Sequence, residues 1–188
     1  MIFSRFNARF VRSIARSMGV DASKMSSRAS TKGARFTATH ECVRATTTNG
    51  RTMTCEIAMA DGAFEAIGDA RLVEAVTAVG ALARRGETLA RVTWSGFART
   101  AGDELYHSVW TNATGVREVK APFDCVVKRF NEKAMRDAYG EVRGPETWLV
   151  EVEAKNGELS TLLDEDEYEK VLEREEIEAA DRANAAYP

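Results

Sequence analysis

Long hydrophobic runs are missing from this chain. Nowhere do apolar residues continue for the roughly 18 to 20 positions a membrane-spanning helix needs, so no segment reads as one. Cysteine is scarce as well: Cys42, Cys55 and Cys125 lie far apart with no C-x-x-C spacing, and histidine is limited to His40 and His107. A zinc site would have to gather scattered ligands from such a set, and free structural thiols are the expectation. The chain has no glycine-rich phosphate loop and no G-x-S-x-G, so it lacks the residue sets of nucleotide transfer and of serine hydrolysis. His107 with Asp103 and Glu104 could be drawn as an acid–base group, but a lone histidine on a hairpin reads as a surface residue.

What the sequence does have is unevenly spread. At 188 residues and 44% hydrophobic content it suits one domain with a leader or tail. Residues 1–38 hold eight Lys/Arg against the single acid Asp21, a balance of +7; with the whole chain at −3, residues 39–188 carry −10. A basic start on an acidic body argues against nucleic acid as the main partner, since phosphate binding needs positive charge on the folded surface. The opening MIFSRFNARFVRSIARSMG sets Ile2, Phe3, Phe6, Phe10, Ile14 and Met18 near one helical face, with arginines at intervals between them. Arg-rich, Ser-rich and nearly free of acids, it has the composition of an organelle transit peptide. We therefore expect residues 1–36 to be a mitochondrial leader, with a chloroplast address as the alternative, followed by a domain over 37–178 and a tail over 179–188.

Structure is expected from Thr39. HECVRATTTNGRTMTCEIA predicts two strands joined around Asn49 and Gly50, which tolerate positive φ. Asp61 caps a short helix near 62–68 with Phe64 and Ile67 inward and Gly68 as its stop. DARLVEAVTAVGALARR fits strands around a turn and, by propensity alone, also a helix. From Gly86 the pattern becomes a long β-hairpin, with Leu89, Arg91 and Thr93 on one face, Ala90, Val92 and Trp94 on the other, and the polar AGDE as its turn. NEKAMRDAYGEVRGP reads as an irregular connection and ETWLVEVEA as a strand. Last, Asp164 with Glu167 forms a capping box for a helix that buries Tyr168, Val171 and Leu172 and turns its acids to water.

Taken together, these segments resemble the H protein of the glycine cleavage system, a lipoyl/biotinyl-carrier (hammerhead) family. HECV resembles the family's H-E-W-V, EIAMADGAFEAIGD its G-I-S-x-x-A-x-x-x-L-G-D, and APFDCVVKRFNE its A-P-x-x-G-x-V-x-x-x-N-E. LLDEDEYEKVL is similar to the family's C-terminal segment, and the likeness runs from 39 to about 175. The resemblance implies a mainly β (α+β) barrel-sandwich hybrid with an enlarged hairpin, a short helix near 62–68 and a C-terminal helix. It also implies a carrier-type component and not an enzyme in its own right: in the family, a lysine at a hairpin tip is joined to lipoate and swings between enzymes.

The chain departs from that pattern at its functional centre. Counting back eight residues from Pro122 reaches Thr114, and counting forward from Val79 and Gly80 reaches Gly96; neither is a lysine. The two answers differ because the hairpin is about eighteen residues longer than the family's. Lys120, in EVKA, copies the family's lysine motif out of register, two residues before the proline, and reads as a strand lysine. Lipoate is expected as a cofactor only if Lys120 is the modified residue. The partners implied are proteins of the glycine cleavage complex or of another mitochondrial assembly. Phe97, Leu105, Tyr106, Val109 and Trp110 on the enlarged hairpin are the candidate contact patch, although they could equally pack its two strands together.

Overall fold

The computed structural model describes residues 33–65, 68–99 and 110–185. Nine strands and four α-helices are seen among them. In chain order they are β1 (Arg35–Phe36), β2 (Glu41–Asn49), β3 (Thr52–Met59), α1 (Asp61–Glu65), β4 (Asp69–Ala75), β5 (Leu82–Ala83), β6 (Thr88–Arg99) and β7 (Trp110–Lys120). There follow β8 (Cys125–Phe130), α2 (Glu132–Arg136), α3 (Ala138–Glu141), β9 (Trp148–Lys155), a 3₁₀ turn (Glu158–Thr161) and α4 (Glu165–Ala185). No described helix is long and apolar enough to cross a membrane.

The strands form two antiparallel sheets, one ordered β1-β2-β3-β9-β8-β5 and the other β4-β6-β7. Their inner faces share one core, to which the larger sheet contributes Val43, Ile57, Val127, Val150 and Val152 and the smaller one Val73, Ala90, Val92 and Val119. Each of the valines and Ile57 contributes about 1.5–3 kcal/mol on burial. The mainly β class, two-sheet architecture, short first helix and C-terminal helix are all as expected.

Local chemistry explains most elements. The β2/β3 loop is Gly50–Arg51, between the paired Asn49 and Thr52, one residue later than the Asn49–Gly50 centre expected. Gly50 takes φ +57°, the left-handed conformation that a two-residue hairpin loop favours. DARLVEAVTAVGALARR resolves to strands, because β4 pairs along β6 and β5 along β8. α4 begins with the capping box: Asp164 N–H donates to Glu167 Oε2 at 3.0 Å, and Glu167 N–H donates to Asp164 Oδ1 at 2.9 Å.

Three expectations are corrected. Ordered structure begins before Thr39, because β1 pairs Arg35 with Val43 and Phe36 with Cys42, and Phe36 also exchanges backbone bonds with Leu163. NEKAMRDAYG is not irregular. The Asn131 side chain accepts from the N–H groups of Lys133 and Ala134, and that of Asp137 from Gly140 N–H, so each starts a short helix. Leu89 does not share a face with Arg91: a register shift between Thr88 and Ala90 leaves Leu89 and Ala90 both fully buried while Arg91 is exposed. The bulge inserts one residue and so breaks the period-two count.

Candidate functional site

β6 and β7 stay in register from Ala90↔Val119 outward through Ser95↔Thr114 to Arg99↔Trp110. The third strand, β4, leaves off earlier, its last partnership being Asp69↔Ser95. From Gly96↔Ala113 outward the hairpin is therefore a two-stranded ribbon. Thr114 is exposed and lies mid-strand opposite Ser95, not at a turn apex. Phe97 and Trp110 belong to the ribbon, opposite Asn112 and Arg99, and their side chains lie outside the described residues. Leu105, Tyr106 and Val109, with His107, Asp103 and Glu104, also fall outside them.

Lys120 ends β7 opposite Thr88 and is half-buried. Its backbone N–H donates to Glu41 Oε1 at 3.0 Å. Glu41 is the one charged residue buried among those described, at 2% exposure. Its other oxygen accepts from the Thr37 hydroxyl and from the Thr39 hydroxyl at 2.5 Å, and Thr37 Oγ1 accepts in turn from the Glu41 backbone N–H at 2.9 Å. Burying a carboxylate costs several kcal/mol unless its lone pairs are met. Here three donors meet them, and the result is a clasp holding the Thr37–Glu41 segment against the end of β7.

That segment walls two open grooves. One, of about 710 Å³, lies between it and the hairpin and is lined by Arg91, Arg117, Glu118 and Lys120. The other, of about 380 Å³, reaches Pro122 and Leu163, and the two share Ala38, Thr39 and Lys120. Arg117 Nη2 donates to the Thr39 carbonyl at 3.0 Å, bracing the wall.

No family model matches the chain, and no curated protein does. Thirteen chains among the solved structures match. One is a glycine cleavage system H protein from Mycobacterium marinum, 20% identical, covering 72% of this chain and 93% of that one, with a TM-score of 0.49.

Cys42, Cys55 and Cys125 are free and buried. Burial pushes the Cys55 thiol up to about 11 and the Cys125 thiol up to about 12, the latter helped by Asp124 and Cys55. Burial likewise raises Cys42. Thiols held protonated in this way are poor nucleophiles and poor metal ligands.

Two features escaped the sequence reading. Within the HECV motif nothing marks Glu41 as buried; the hydroxyls at Thr37 and Thr39, four and two residues before it, are the sequence signal for its burial. His40 takes φ +68°, and its Nδ1 lies 2.8 Å from the Tyr168 hydroxyl while Nε2 lies 3.3 Å from Glu175 Oε2. No local pattern announces a contact that spans 128 residues.

Proposed function

We propose that this chain is a carrier-fold protein of the lipoyl type whose hairpin has lost the attachment amine, and that it serves as a docking or accessory subunit in a mitochondrial assembly, the glycine cleavage complex or one related to it. The observation that carries this is the hairpin itself: it continues in register past Ser95↔Thr114 to Arg99↔Trp110, and the sequence holds no lysine between Lys32 and Lys120. A swinging arm needs a primary amine on a protruding support, and β6, β7 and their connection offer none before Lys120.

The ribbon supports the docking half of the reading. An isolated two-stranded hairpin is marginal in water, so a ribbon extending beyond its sheet gains by packing against another surface. Phe97 and Trp110 within it, and Leu105, Tyr106 and Val109 between its strands in sequence, supply the apolar and aromatic residues that dominate interface energetics.

Intact-mass spectrometry of the protein isolated from its native organelle tests the first half: an unmodified mass is expected, and a lipoyl adduct mapped to Lys120 overturns it. Deleting Arg99 to Asn112 tests the second. The shortened protein should stay folded and lose the glycine cleavage proteins from a mitochondrial pull-down, and an unchanged partner set rules the ribbon out as the docking arm.

A further inference from the structure

The body of this protein is strongly acidic, yet its two adjoining grooves are lined by cations. Residues 39–188 total −10, against Arg91, Arg117 and Lys120 around the larger groove and Arg85 with Lys120 around the smaller. We propose that these grooves form one site for a small amphiphilic anion, a carboxylate on a short hydrocarbon stem, held without a covalent bond. This goes beyond the docking reading and stands whether or not the ribbon binds a partner.

The head would sit at the hairpin end. Arg117 spends one N–H on Thr39 O and keeps the rest of its five donors. Arg91 Nε stands 3.6 Å from Glu118 Oε1, and both side chains are about half exposed (51% and 42%), a pair weak enough in water to open for a better acceptor. No partner for the Lys120 ammonium is seen among the described residues. Glu41 lies behind the wall with its oxygens already bonded to Thr37, Thr39 and the Lys120 amide. Glu118 lines the larger groove, Glu74 stands opposite Arg91 on β4 and Asp124 accepts from the Arg85 N–H, so with Glu41 four acids match the four cations and the site offers directed donors, not a net positive charge. The His40 ring is engaged with Tyr168 and Glu175 and is not needed for the balance. A carboxylate gains there through charge-assisted hydrogen bonds from the Lys120 ammonium and the Arg117 guanidinium.

The stem would lie along the second groove. Phe36, Ala121, Pro122, Leu162 and Leu163 line it and no acid does. At about 710 and 380 Å³ both grooves fall in the size range of small-molecule sites. Lys120 borders both, so a head bonded there leaves its stem free to run toward Leu163.

The test titrates the full chain with octanoate, octanamide, octylamine and inorganic phosphate by calorimetry and amide NMR. Octanoate should bind and move the amides of Thr39, Val116, Ala121 and Leu163, while octanamide, octylamine and phosphate bind at least about tenfold more weakly, each lacking the charge, its sign or the stem. Lys120→Gln and Arg91→Gln should each weaken octanoate about tenfold, with Lys128→Gln as the unaffected control. Lys120→Gln keeps the backbone bond to Glu41, and an unchanged amide dispersion verifies its fold. The proposal is overturned if octanoate shows no binding at millimolar concentration, if the amide or the amine binds as well, if phosphate alone binds as tightly, or if the shifts map elsewhere.

Discussion

Gly68 and Gly96 meet backbone to backbone. A Cβ built on Gly96 would lie 2.8 Å from Gly68 Cα, and one built on Gly68 would lie 2.6 Å from Gly96 Cα and run into the Ser95 carbonyl. Neither glycine has positive φ, so an added methyl costs through steric overlap and not through backbone strain. The contact sits where β4 begins and the ribbon leaves the sheet. Gly68→Ala or Gly96→Ala should destabilise the protein by about 1–3 kcal/mol, read as a lower urea midpoint. Hydrogen exchange should also quicken in the outer part of β6 and β7, because the root of the ribbon is forced away from its neighbour.

Tyr168 fastens the C-terminal helix. It is 4% exposed, stacks on Phe36 with ring centroids 4.7 Å apart, and its hydroxyl meets His40 Nδ1. Tyr168→Ala should cost about 3–5 kcal/mol, as for other buried aromatics. Tyr168→Phe should cost about 1 kcal/mol, the worth of one hydrogen bond. A thermal melt separates the two, and equal losses would mean that the stacking contributes little.

Removing the Glu41 carboxylate should be expensive for a different reason. Glu41→Ala leaves the Lys120 amide without its acceptor and frees the hydroxyls of Thr37 and Thr39, at a cost of about 1–3 kcal/mol per unsatisfied buried group. Guanidinium denaturation should show this loss. The segment from Thr37 to Glu41 should become the first site of proteolysis, since the clasp is what holds it to β7.

The buried thiols make stability fall on the alkaline side. Native Cys55 and Cys125 hold their protons up to about 11 and about 12, whereas the ordinary thiol value is 9.0. Below pH 9 their contribution is present in full; as the pH rises through that window the unfolded chain releases protons the native one keeps, and the contribution is lost. The expected slope is about 1.4 kcal/mol per pH unit for each thiol. Urea midpoints measured from pH 8 to 10.5 should decline, and Cys125→Ala should flatten the curve. At neutral pH, iodoacetamide should label the denatured protein and spare the native one.

Much of the fold was legible where information is local. The hairpin announced itself by alternation, and the start of α4 by Asp164 and Glu167, three residues apart and reciprocally bonded as the spacing implies. Legibility failed at Leu89, where one bulged residue reverses the faces, and at α2 and α3, where the caps of Asn131 and Asp137 outweigh the glycines and proline nearby. β1 was missed because two residues carry no periodicity and its partners, β2 and Leu163, come later in the chain.

By itself the sequence determined that no lysine precedes Lys120 along β6, β7 or the stretch joining them, that the apolar pattern suits strands, and that the body is acidic. These are properties of composition and short spacing, and folding cannot change them. Only the tertiary structure decided that Thr114 lies mid-strand, that Glu41 is buried under the end of β7, that His40 meets Tyr168, and that Arg85, Arg91, Arg117 and Lys120 border two adjoining grooves. Each of these joins groups far apart along the chain, so it follows from strand register and packing, which local spacing does not encode.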